Sequence, residues 1–210
     1  MSDNSRKIRL VMELRRAGIN DTDVLSAIER VPREIFVPET FRDRAYEDTA
    51  LPIACGQTIS QPYVVAFMTA ALQLRKRMLV LEIGTGCGYQ TAVLSPLVRR
   101  VYTIERQREL LVEATRRFKE LGLTNVVTRF GDGFKGWPEV APVDRILVTA
   151  AAKEIPQVLV DQLSEGGMMI IPVGGPGNQE ILRVTRREGR VETEPLMPVR
   201  FVPMLGGTEG

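Results

Sequence analysis

The sequence predicts a doubly wound α/β fold with a mostly parallel sheet, a helical cap before it and an antiparallel part after it. From Met78 onward, short apolar runs alternate with segments of helical periodicity, which is typical of parallel strands joined by right-handed helical crossovers. The N-terminal third shows helical periodicity alone, and the C-terminal stretch shows two alternating runs around Glu188 and Gly189. We therefore expect residues 1–76 to form a helical cap with a loop, and residues 77–210 to form the α/β core of one compact unit.

Two helices are predicted in the cap. An apolar helical pattern begins near Ile8 and stops at Gly18. Asn20 or Asp21 is placed to cap a second helix, which ends before Pro32. The stretch that follows, as far as the letters GQTIS, has little periodicity, so we expect a loop-rich connector there.

Strands and helices alternate through the predicted core. The strands are MLVLEIG, RVYTIE, VVTRFGDG, DRILVTAA and MMIIPVG, and the helices are YQTAVLSPLV, RELLVEATRRFKELG and IPQVLVDQLSEGG. We expect the third of these helices to end at its final two glycines, because glycine is common where a helix stops. The tail segment EILRVTRREGRVETEPLMPVRFVPM then predicts an antiparallel finish to the sheet.

Composition excludes several classes of chemistry. A chain of 210 residues with 44% hydrophobic content is long enough to bury one sizeable core. The sequence contains no histidine, so a histidine-based triad or a histidine metal site is excluded. The two cysteines fit neither a zinc-site spacing nor a disulfide framework, so we expect no metal.

Charge and hydropathy restrict the partners. The net charge is +2 and the basic residues fall in short scattered clusters, so we expect no nucleic-acid partner. The N-terminal residues are polar, and no apolar run reaches the length of about 18 residues that a membrane span needs. We therefore expect a cytoplasmic monomer without membrane contact.

A glycine loop follows the first core strand. The letters LEIGTGCGYQ place Gly84, Gly86 and Gly88 where the backbone can pass close to a ligand, with Thr85 inside the loop. A tight strand-to-helix turn is the alternative explanation for these glycines. A dinucleotide fingerprint requires a third glycine at position 89, where this chain has Tyr89, so a pyrophosphate ligand is disfavoured.

Acidic residues occur at three successive strand ends. Glu82 precedes the glycine loop and suits a cationic group, such as the amino group of a methionyl moiety. Glu105 ends the second strand, where an acid can accept hydrogen bonds from both ribose hydroxyls. Asp132 follows the third strand beside Gly133, which allows a flat base to lie close. Together with the glycine loop, these acids indicate S-adenosylmethionine as the cofactor.

The segments GQTISQP, VLEIGTGCGYQTAVL, VYTIER, GDGFKGWPEVAPVDRILVTAAA and GGMMIIPVG occur in this order along the chain. In sequence and spacing the chain resembles the protein-L-isoaspartate O-methyltransferase family over nearly its whole length. The resemblance implies a Rossmann-like methyltransferase fold and the transfer of a methyl group from S-adenosylmethionine to the free α-carboxylate of L-isoaspartyl residues in damaged proteins. It implies S-adenosylhomocysteine as the product and Ser60 as the active-site serine. It also implies that the glycine loop and the acids named above, with Gly133, hold the cofactor.

The stretch ACGQTISQP carries hydroxyls and amides but no charge. A carboxylate is already nucleophilic at neutral pH, so methyl transfer to it requires positioning and no general base. We expect Thr58, Ser60 and the neighbouring Ile59 and Gln61 to orient the substrate carboxylate without adding a competing charge. The alternative is that Ser60 only caps the helix that opens at Pro62.

The tail segment from Val199 to Pro203, with Val202 as a substrate contact, is expected to offer a strand edge to an extended peptide. A plain closing strand is an equal alternative. Three other functions stay open at this stage: a methyltransferase of another substrate class such as RNA, a nicotinamide-dependent oxidoreductase, and a non-catalytic interaction protein. A basic stripe with aromatics would favour RNA, but aromatic residues make up only 6% of this chain.

Overall fold

The computed structural model describes residues 3–210. Its helices are α1 (Asp3–Arg16), α2 (Thr22–Arg30), α3 (Pro62–Ala71), α4 (Tyr89–Leu94), α5 (Arg108–Glu120) and α6 (Gln157–Asp161). Its strands are β1 (Leu51–Pro52), β2 (Thr58–Ile59), β3 (Leu79–Ile83), β4 (Arg100–Glu105), β5 (Val126–Phe130), β6 (Val143–Val148), β7 (Leu163–Gly175), β8 (Asn178–Arg187) and β9 (Arg190–Val199). Short 3-10 helices lie at Arg33–Phe36, Glu39–Arg44, Ala54–Gly56, Ser95–Leu97, Gly133–Lys135 and Pro138–Val140.

The main sheet has seven strands in the order β5-β4-β3-β6-β7-β8-β9. The pairs from β5 to β7 are parallel, and the β7-β8 and β8-β9 pairs are antiparallel. The predicted doubly wound sheet with an antiparallel C-terminal part is therefore confirmed. The direction of winding reverses at β3, which lies between β4 and β6, and ligands of such sheets bind beyond the carboxyl ends of the strands at this reversal.

The helical cap packs directly on the core. Asp21 caps α2 by accepting hydrogen bonds from the backbone N–H groups of Asp23 and Val24. Leu10 and Leu14 of α1 are buried in one hydrophobic cluster that also contains residues of α3, α4 and the sheet. The division of the chain between residues 76 and 77 stays a prediction, since this cluster spans both parts.

A small hairpin precedes α3. Strand β1 pairs antiparallel with β2 through Leu51 opposite Ile59 and Pro52 opposite Thr58. Ile59 is buried, whereas its neighbours Thr58 and Ser60 retain access to solvent. Successive side chains of a strand point to opposite faces. Ile59 therefore anchors the loop in the core, while Thr58 and Ser60 lie on the solvent-accessible face.

The helix predicted to end at glycines is shorter than the sequence indicates. α6 ends at Asp161, and the residues from Leu163 onward belong to β7. Leu163 pairs with Val143 of β6, and the register shifts before the next pair. Gly166 has a φ of +72°, which allows the backbone to bend where the register shifts. This glycine therefore lies within an irregular strand and does not end a helix.

The tail also differs from expectation. β9 ends at Val199, and the segment beyond it turns back over the sheet. The backbone N–H and C=O groups of Phe201 bond to the side chain of Gln179, and the Val202 carbonyl accepts from the N–H of Ala151. These bonds occupy the backbone groups of Phe201 and the carbonyl of Val202, so binding of an extended peptide along residues 199–203 stays a prediction. Within residues 3–210, no helix combines the length and the apolar character needed to cross a bilayer.

Candidate functional site

The glycine loop connects β3 to α4. Two of its positions, Gly84 and Gly88, have backbone angles that favour glycine. Gly84 has a φ of +95°, and a Cβ built there would lie 2.3 Å from Thr149 Oγ1. Gly88 has a φ of +93°, and a Cβ there would lie 2.6 Å from the ring of Phe118. Both positions therefore require glycine for the backbone angle and for the space, and Gly84 also lines the cavity described below.

Glu82 lies under this loop and does not line the cavity. Its side chain is fully buried, and Oε2 accepts hydrogen bonds from Thr91 and Thr103, the latter at 2.6 Å. Burial raises the pKa of Glu82 to about 7, against the opposing effect of these two hydroxyl donors. The other oxygen, Oε1, is buried without a hydrogen-bond partner within residues 3–210. Glu82 thus joins β3 to α4 and β4 through two hydroxyls, and a direct contact of Glu82 with the cofactor stays a prediction.

Glu105 ends β4 and faces the loop. Its Oε2 accepts a hydrogen bond from the Gly86 N–H at 2.8 Å, and its Oε1 accepts one from the Gln107 N–H at 2.9 Å. A carboxylate has about four acceptor positions, so Glu105 retains capacity for a ligand's hydroxyl groups. The residue is 6% exposed, and it lines the cavity.

Asp132 and Gly133 follow β5. A Cβ at Gly133 would lie 2.4 Å from Ile83 Cγ2, so only glycine fits there, and Gly133 lines the cavity. Asp132 accepts hydrogen bonds from the Phe134 N–H at 2.9 Å and the Gly207 N–H at 2.8 Å. These bonds hold its carboxylate between a 3-10 helix and the tail, and Asp132 does not contribute to the cavity wall.

One cavity of about 930 Å³, counting space open to solvent, joins these elements at the carboxyl ends of the strands. The predicted site residues that line it are Ser60, Thr58, Ile59, Gly84, Thr85, Gly86, Glu105, Gly133 and Val202. The predicted residues outside its lining are Glu82, Gly88, Asp132 and Gln61.

Two side chains from the preceding connector, Arg33 and Asp48, bond to backbone groups at and just after Ser60. The Ser60 carbonyl accepts a hydrogen bond from Arg33 Nη2 at 2.8 Å. The N-cap residue of α3 is Gln61, and the side chain that accepts from the first free N–H, that of Tyr63, belongs to Asp48. The alternative in which Ser60 caps α3 is therefore wrong.

Gln61 and Ser60 also line a second cleft, defined by residues 48–50, 58, 60, 61, 64 and 197–201. It holds about 880 Å³, counting space open to solvent, and it shares Thr58 and Ser60 with the first cavity. Gln61 Nε2 donates to Asp48 at 3.0 Å, so its side chain is fixed on the wall of this second cleft. The two spaces meet at the hydroxyl-bearing loop.

Among the cavity residues that sequence reasoning missed, three have a clear structural role. Thr149 donates from Oγ1 to the carbonyls of Ile83 at 2.9 Å and Gly84 at 2.7 Å, which pins the start of the glycine loop. Tyr89 is buried but lines the cavity, and Gln107 supplies one of the amides on Glu105. The position of Thr149 directly after a parallel strand was an available signal, because all such strand ends meet at one edge.

No group of three or more histidine, cysteine, aspartate or glutamate residues suited to a metal ion occurs in the described part of the chain, residues 3–210. A glycine loop follows β3, an acid ends β4 and a glycine follows β5. Together they define an α/β protein with a nucleotide-like cofactor site where the direction of winding reverses.

The comparison with protein families gives the particular family. A family model described as Protein-L-isoaspartate(D-aspartate) O-methyltransferase matches residues 5–209, and the chain belongs to this family. A relative from Rhodospirillum rubrum, named protein-L-isoaspartate O-methyltransferase, is 63% identical over 210 residues, which are 99% of this chain and 96% of the relative. A relative of the same name from Parvibaculum lavamentivorans is 61% identical over 204 residues, 96% of this chain and 92% of the relative.

Solved structures agree with this assignment. One named protein-L-isoaspartate O-methyltransferase superposes with a TM-score of 0.88 at 31% identity and covers 95% of this chain, which spans 66% of that protein. Another, a candidate protein-L-isoaspartate O-methyltransferase from Plasmodium falciparum, was solved in complex with S-adenosyl-L-homocysteine. It superposes with a TM-score of 0.83 at 27% identity, over 94% of this chain and 97% of that one.

Proposed function

We propose that this protein transfers a methyl group from S-adenosylmethionine to the free α-carboxylate of L-isoaspartyl residues in peptides and proteins, as the first step of their repair. The observation that carries the proposal is the single cavity shared by the glycine loop, Glu105 and the uncharged loop at Ser60. The first two form a cofactor site, and the third is a place for an anionic acceptor. Family membership supports the substrate class.

The residues present fit this cofactor. Gly84 and Gly133 line the cavity, and neither carries a side chain that would occupy space there. Glu105 retains acceptor capacity for the ribose hydroxyls, and Thr85 and Gly86, which line the cavity, would hold the methionyl part. Gly133 would lie against the base, while Glu82 and Asp132 act from beneath and beside the site.

When bound, S-adenosylmethionine supplies a methyl group on a positively charged sulfur. The substrate carboxylate oxygen forms the new O–CH₃ bond as the C–S bond breaks, and the electron pair of that bond stays on sulfur, which becomes neutral. No proton moves, so the protein needs no general base. The work of this chain is to hold the carboxylate in line and to limit its solvation, and such orientation can supply about 7–11 kcal/mol of the barrier.

Ser60 is the residue that we assign to orienting the carboxylate. Its hydroxyl makes no hydrogen bond within residues 3–210, and it lines both the cavity and the second cleft. Thr58 lies on the same two surfaces, and the buried Ile59 between them fixes the loop. A hydroxyl can donate to an anion without bringing a charge that competes with the sulfonium.

We propose that the second cleft receives the peptide that flanks the isoaspartyl residue. It begins at Ser60, includes Gln61 and ends against the last residues of β9, including Val199. Val202 lines the cavity itself, where its side chain can contact the acceptor residue. Repair demands that many sequence contexts be accepted, so we expect contacts to the peptide main chain to dominate over contacts to its side chains.

We further propose that the enzyme works as a monomer in the cytoplasm, with peptides and proteins as partners and without nucleic acid or membrane. The net charge of +2 with its scattered basic clusters supports the absence of a nucleic-acid partner. The alternative functions, an RNA methyltransferase and a nicotinamide-dependent oxidoreductase, would require a basic stripe or a glycine at position 89, and the chain has Tyr89 there.

The decisive experiment is a methyl-transfer assay with radiolabelled S-adenosylmethionine and two peptides of one sequence, one isoaspartyl and one aspartyl. We expect only the isoaspartyl peptide to carry a labelled methyl ester, which is measured as labelled methanol released on hydrolysis. RNA serves as a third acceptor. Equal labelling of both peptides, or labelling of RNA alone, would overturn the proposed substrate class.

A further inference from the structure

Arg33 is the largest fully buried side chain of the molecule outside the glycine-loop site. It opens the 3-10 helix Arg33–Phe36, which follows α2, and it is 0% exposed. A buried guanidinium is costly unless its donors are satisfied, because it loses its hydration. The structure therefore contains a cation whose position needs a reason beyond the solvation of a surface charge.

The guanidinium of Arg33 holds the backbone of the substrate loop. Its Nη2 donates to the Ser60 carbonyl at 2.8 Å, and the same nitrogen lies 3.4 Å from the Thr49 carbonyl. Its Nε donates to the Ala45 carbonyl at 2.9 Å. One planar group thus joins three points of a connector that has little regular structure of its own, and the Ser60 carbonyl is one of the two that it contacts within 3 Å.

The other face of Arg33 contacts the cofactor side of the cavity. Its Cζ lies 4.7 Å from the ring centroid of Tyr89, which opens α4 and lines the cavity. Phe36 packs edge-on against the same ring, with centroids 5.5 Å apart. Arg33 therefore links the loop that carries Ser60 to the helix that follows the glycine loop.

No ion pair explains this arrangement. Within residues 3–210, Arg33 has no carboxylate within salt-bridge distance. The acid that faces it, Asp48, uses its two oxygens to bind Gln61 and Tyr63. The Nη1 of Arg33 and the hydroxyl of Tyr89 meet strict hydrogen-bond geometry with no group in the described part of the chain, but the two side chains interact with each other. Burial lowers the pKa of Arg33, and the neighbouring Tyr89 opposes that effect.

We propose that Arg33 is a positioning residue for methyl transfer, which fixes the Ser60 peptide against Tyr89 so that the Ser60 hydroxyl is aimed into the cavity. The inference rests on the proposed function, because it assigns Ser60 the role of orienting the acceptor carboxylate. Arg33 itself touches neither the cavity nor any reacting atom. Arg33 can reach the cavity through the Ser60 carbonyl or through the Tyr89 ring. The inference assigns its effect on the rate to Ser60, so a change at Arg33 should depend on the Ser60 hydroxyl and should leave cofactor affinity nearly unchanged.

The test is a double-mutant cycle of Arg33→Lys and Ser60→Ala, followed by kcat/KM for an isoaspartyl peptide, the Kd of S-adenosylhomocysteine and the Tm. Lysine retains the charge but cannot reproduce the planar fork. We expect Arg33→Lys alone to lower kcat/KM by about 10- to 100-fold, since a small misplacement of a catalytic group has effects of this size. The Kd of S-adenosylhomocysteine should change by less than about threefold, which is below the effect of losing one hydrogen bond. In the Ser60→Ala background, Arg33→Lys should lower kcat/KM by less than about threefold.

Leu14→Ala is the matched control. Leu14 is buried in the cap at 1% exposure and does not line the cavity, so we expect its truncation to lower the Tm without removing a hydrogen bond from the loop. Its small effect on kcat/KM should be the same with Ser60 and with Ala at position 60. Losses from Arg33→Lys and Ser60→Ala that multiply, or an Arg33→Lys loss no larger than that of Leu14→Ala, would overturn the positioning role.

Arg33→Gln is the second variant, since it retains a planar group with two donors. If neither Arg33 variant folds above the assay temperature, Arg33 is required for folding and the positioning role is rejected. Failure of the proposed function is distinguishable, because it would appear as absent methyl transfer by the unaltered protein. A normally active protein with multiplying losses would reject the role of Arg33 alone.

Discussion

The carboxylate of Asp48 accepts a hydrogen bond from the backbone N–H of Tyr63 at 2.8 Å, so a side chain from the connector caps α3. Ser60 precedes the proline at the start of this helix, where the local sequence predicts a cap, yet its hydroxyl is not used in that way. The tertiary contact of Asp48 thereby leaves Ser60 available for a substrate. Asp48 thus contributes to the stability of α3, and Ser60 is left for substrate binding. The two roles can be tested with separate variants.

We expect Ser60→Ala to lower kcat/KM for an isoaspartyl peptide at least about tenfold, the worth of one hydrogen bond to a charged group. Its free energy of unfolding should change by less than about 0.5 kcal/mol, because no cap is lost. Asp48→Ala is the matched variant and should lose about 1 kcal/mol of stability as the cap disappears. Steady-state kinetics and denaturant unfolding measure both quantities. Ser60→Asp should be less active than Ser60→Ala, since a fixed carboxylate repels the substrate anion; wild-type activity in that variant would contradict the assignment.

Glu105→Gln should weaken binding of S-adenosylhomocysteine by about 1.5–3 kcal/mol, because the charge-assisted bonds from ribose hydroxyls become bonds to a neutral amide oxygen. The loss should appear in the Kd measured by calorimetry. Glu120→Gln is a control with the same change of charge on the exposed end of α5, and it should leave the Kd unchanged. Unchanged affinity in Glu105→Gln would remove this residue from the cofactor site.

Thr149→Val should weaken binding of the same ligand by about 1 kcal/mol, or about fivefold in Kd. Valine has the shape of threonine, but it cannot donate to the Gly84 carbonyl, so the start of the glycine loop loses its anchor. Thr193→Val, on the exposed strand β9, is the control for the substitution itself. Equal affinities in the two variants would show that the loop does not depend on this bond.

The buried Glu82 makes stability depend on pH in a defined direction. Its pKa is raised by burial from 4.5 to about 7 in the folded protein, so between these values the folded state binds the proton more tightly than the unfolded chain. The stability that this group contributes is therefore full below about pH 4.5 and is lost as the pH rises to about 7, by about 3 kcal/mol. Above that range the contribution no longer changes.

Glu82→Gln should remove this dependence, since glutamine does not titrate. Urea unfolding of both proteins between pH 5 and pH 8 measures the difference, in which other titrating groups cancel. We expect the variant to gain stability relative to the unaltered protein as the pH rises, because the unaltered protein alone carries the cost of a buried charge at high pH. Parallel pH profiles for the two proteins would contradict a raised pKa at Glu82.

The sequence by itself determined the order of the elements and the type of sheet. Apolar runs of strand length alternating with amphipathic helices specify a parallel sheet, and the resulting topology places the ends of β3, β4 and β5 at one edge. The glycine loop and Glu105 could be assigned for the same reason, because their function depends on position along the chain relative to a strand end. The turn at Glu188 and Gly189 followed from local backbone preference.

Only the tertiary structure decided which polar groups were already occupied. Burial of Glu82 beneath the loop, the contact of Gly207 with Asp132 and the cap from Asp48 all join residues that are distant in sequence or face inward, and no local pattern specifies such partners. The same holds for Arg33, which lies 27 residues before the carbonyl that it holds. A hydrogen bond is made where two groups come within about 3 Å, and that distance is set by the packing of the whole chain rather than by the neighbours of either residue.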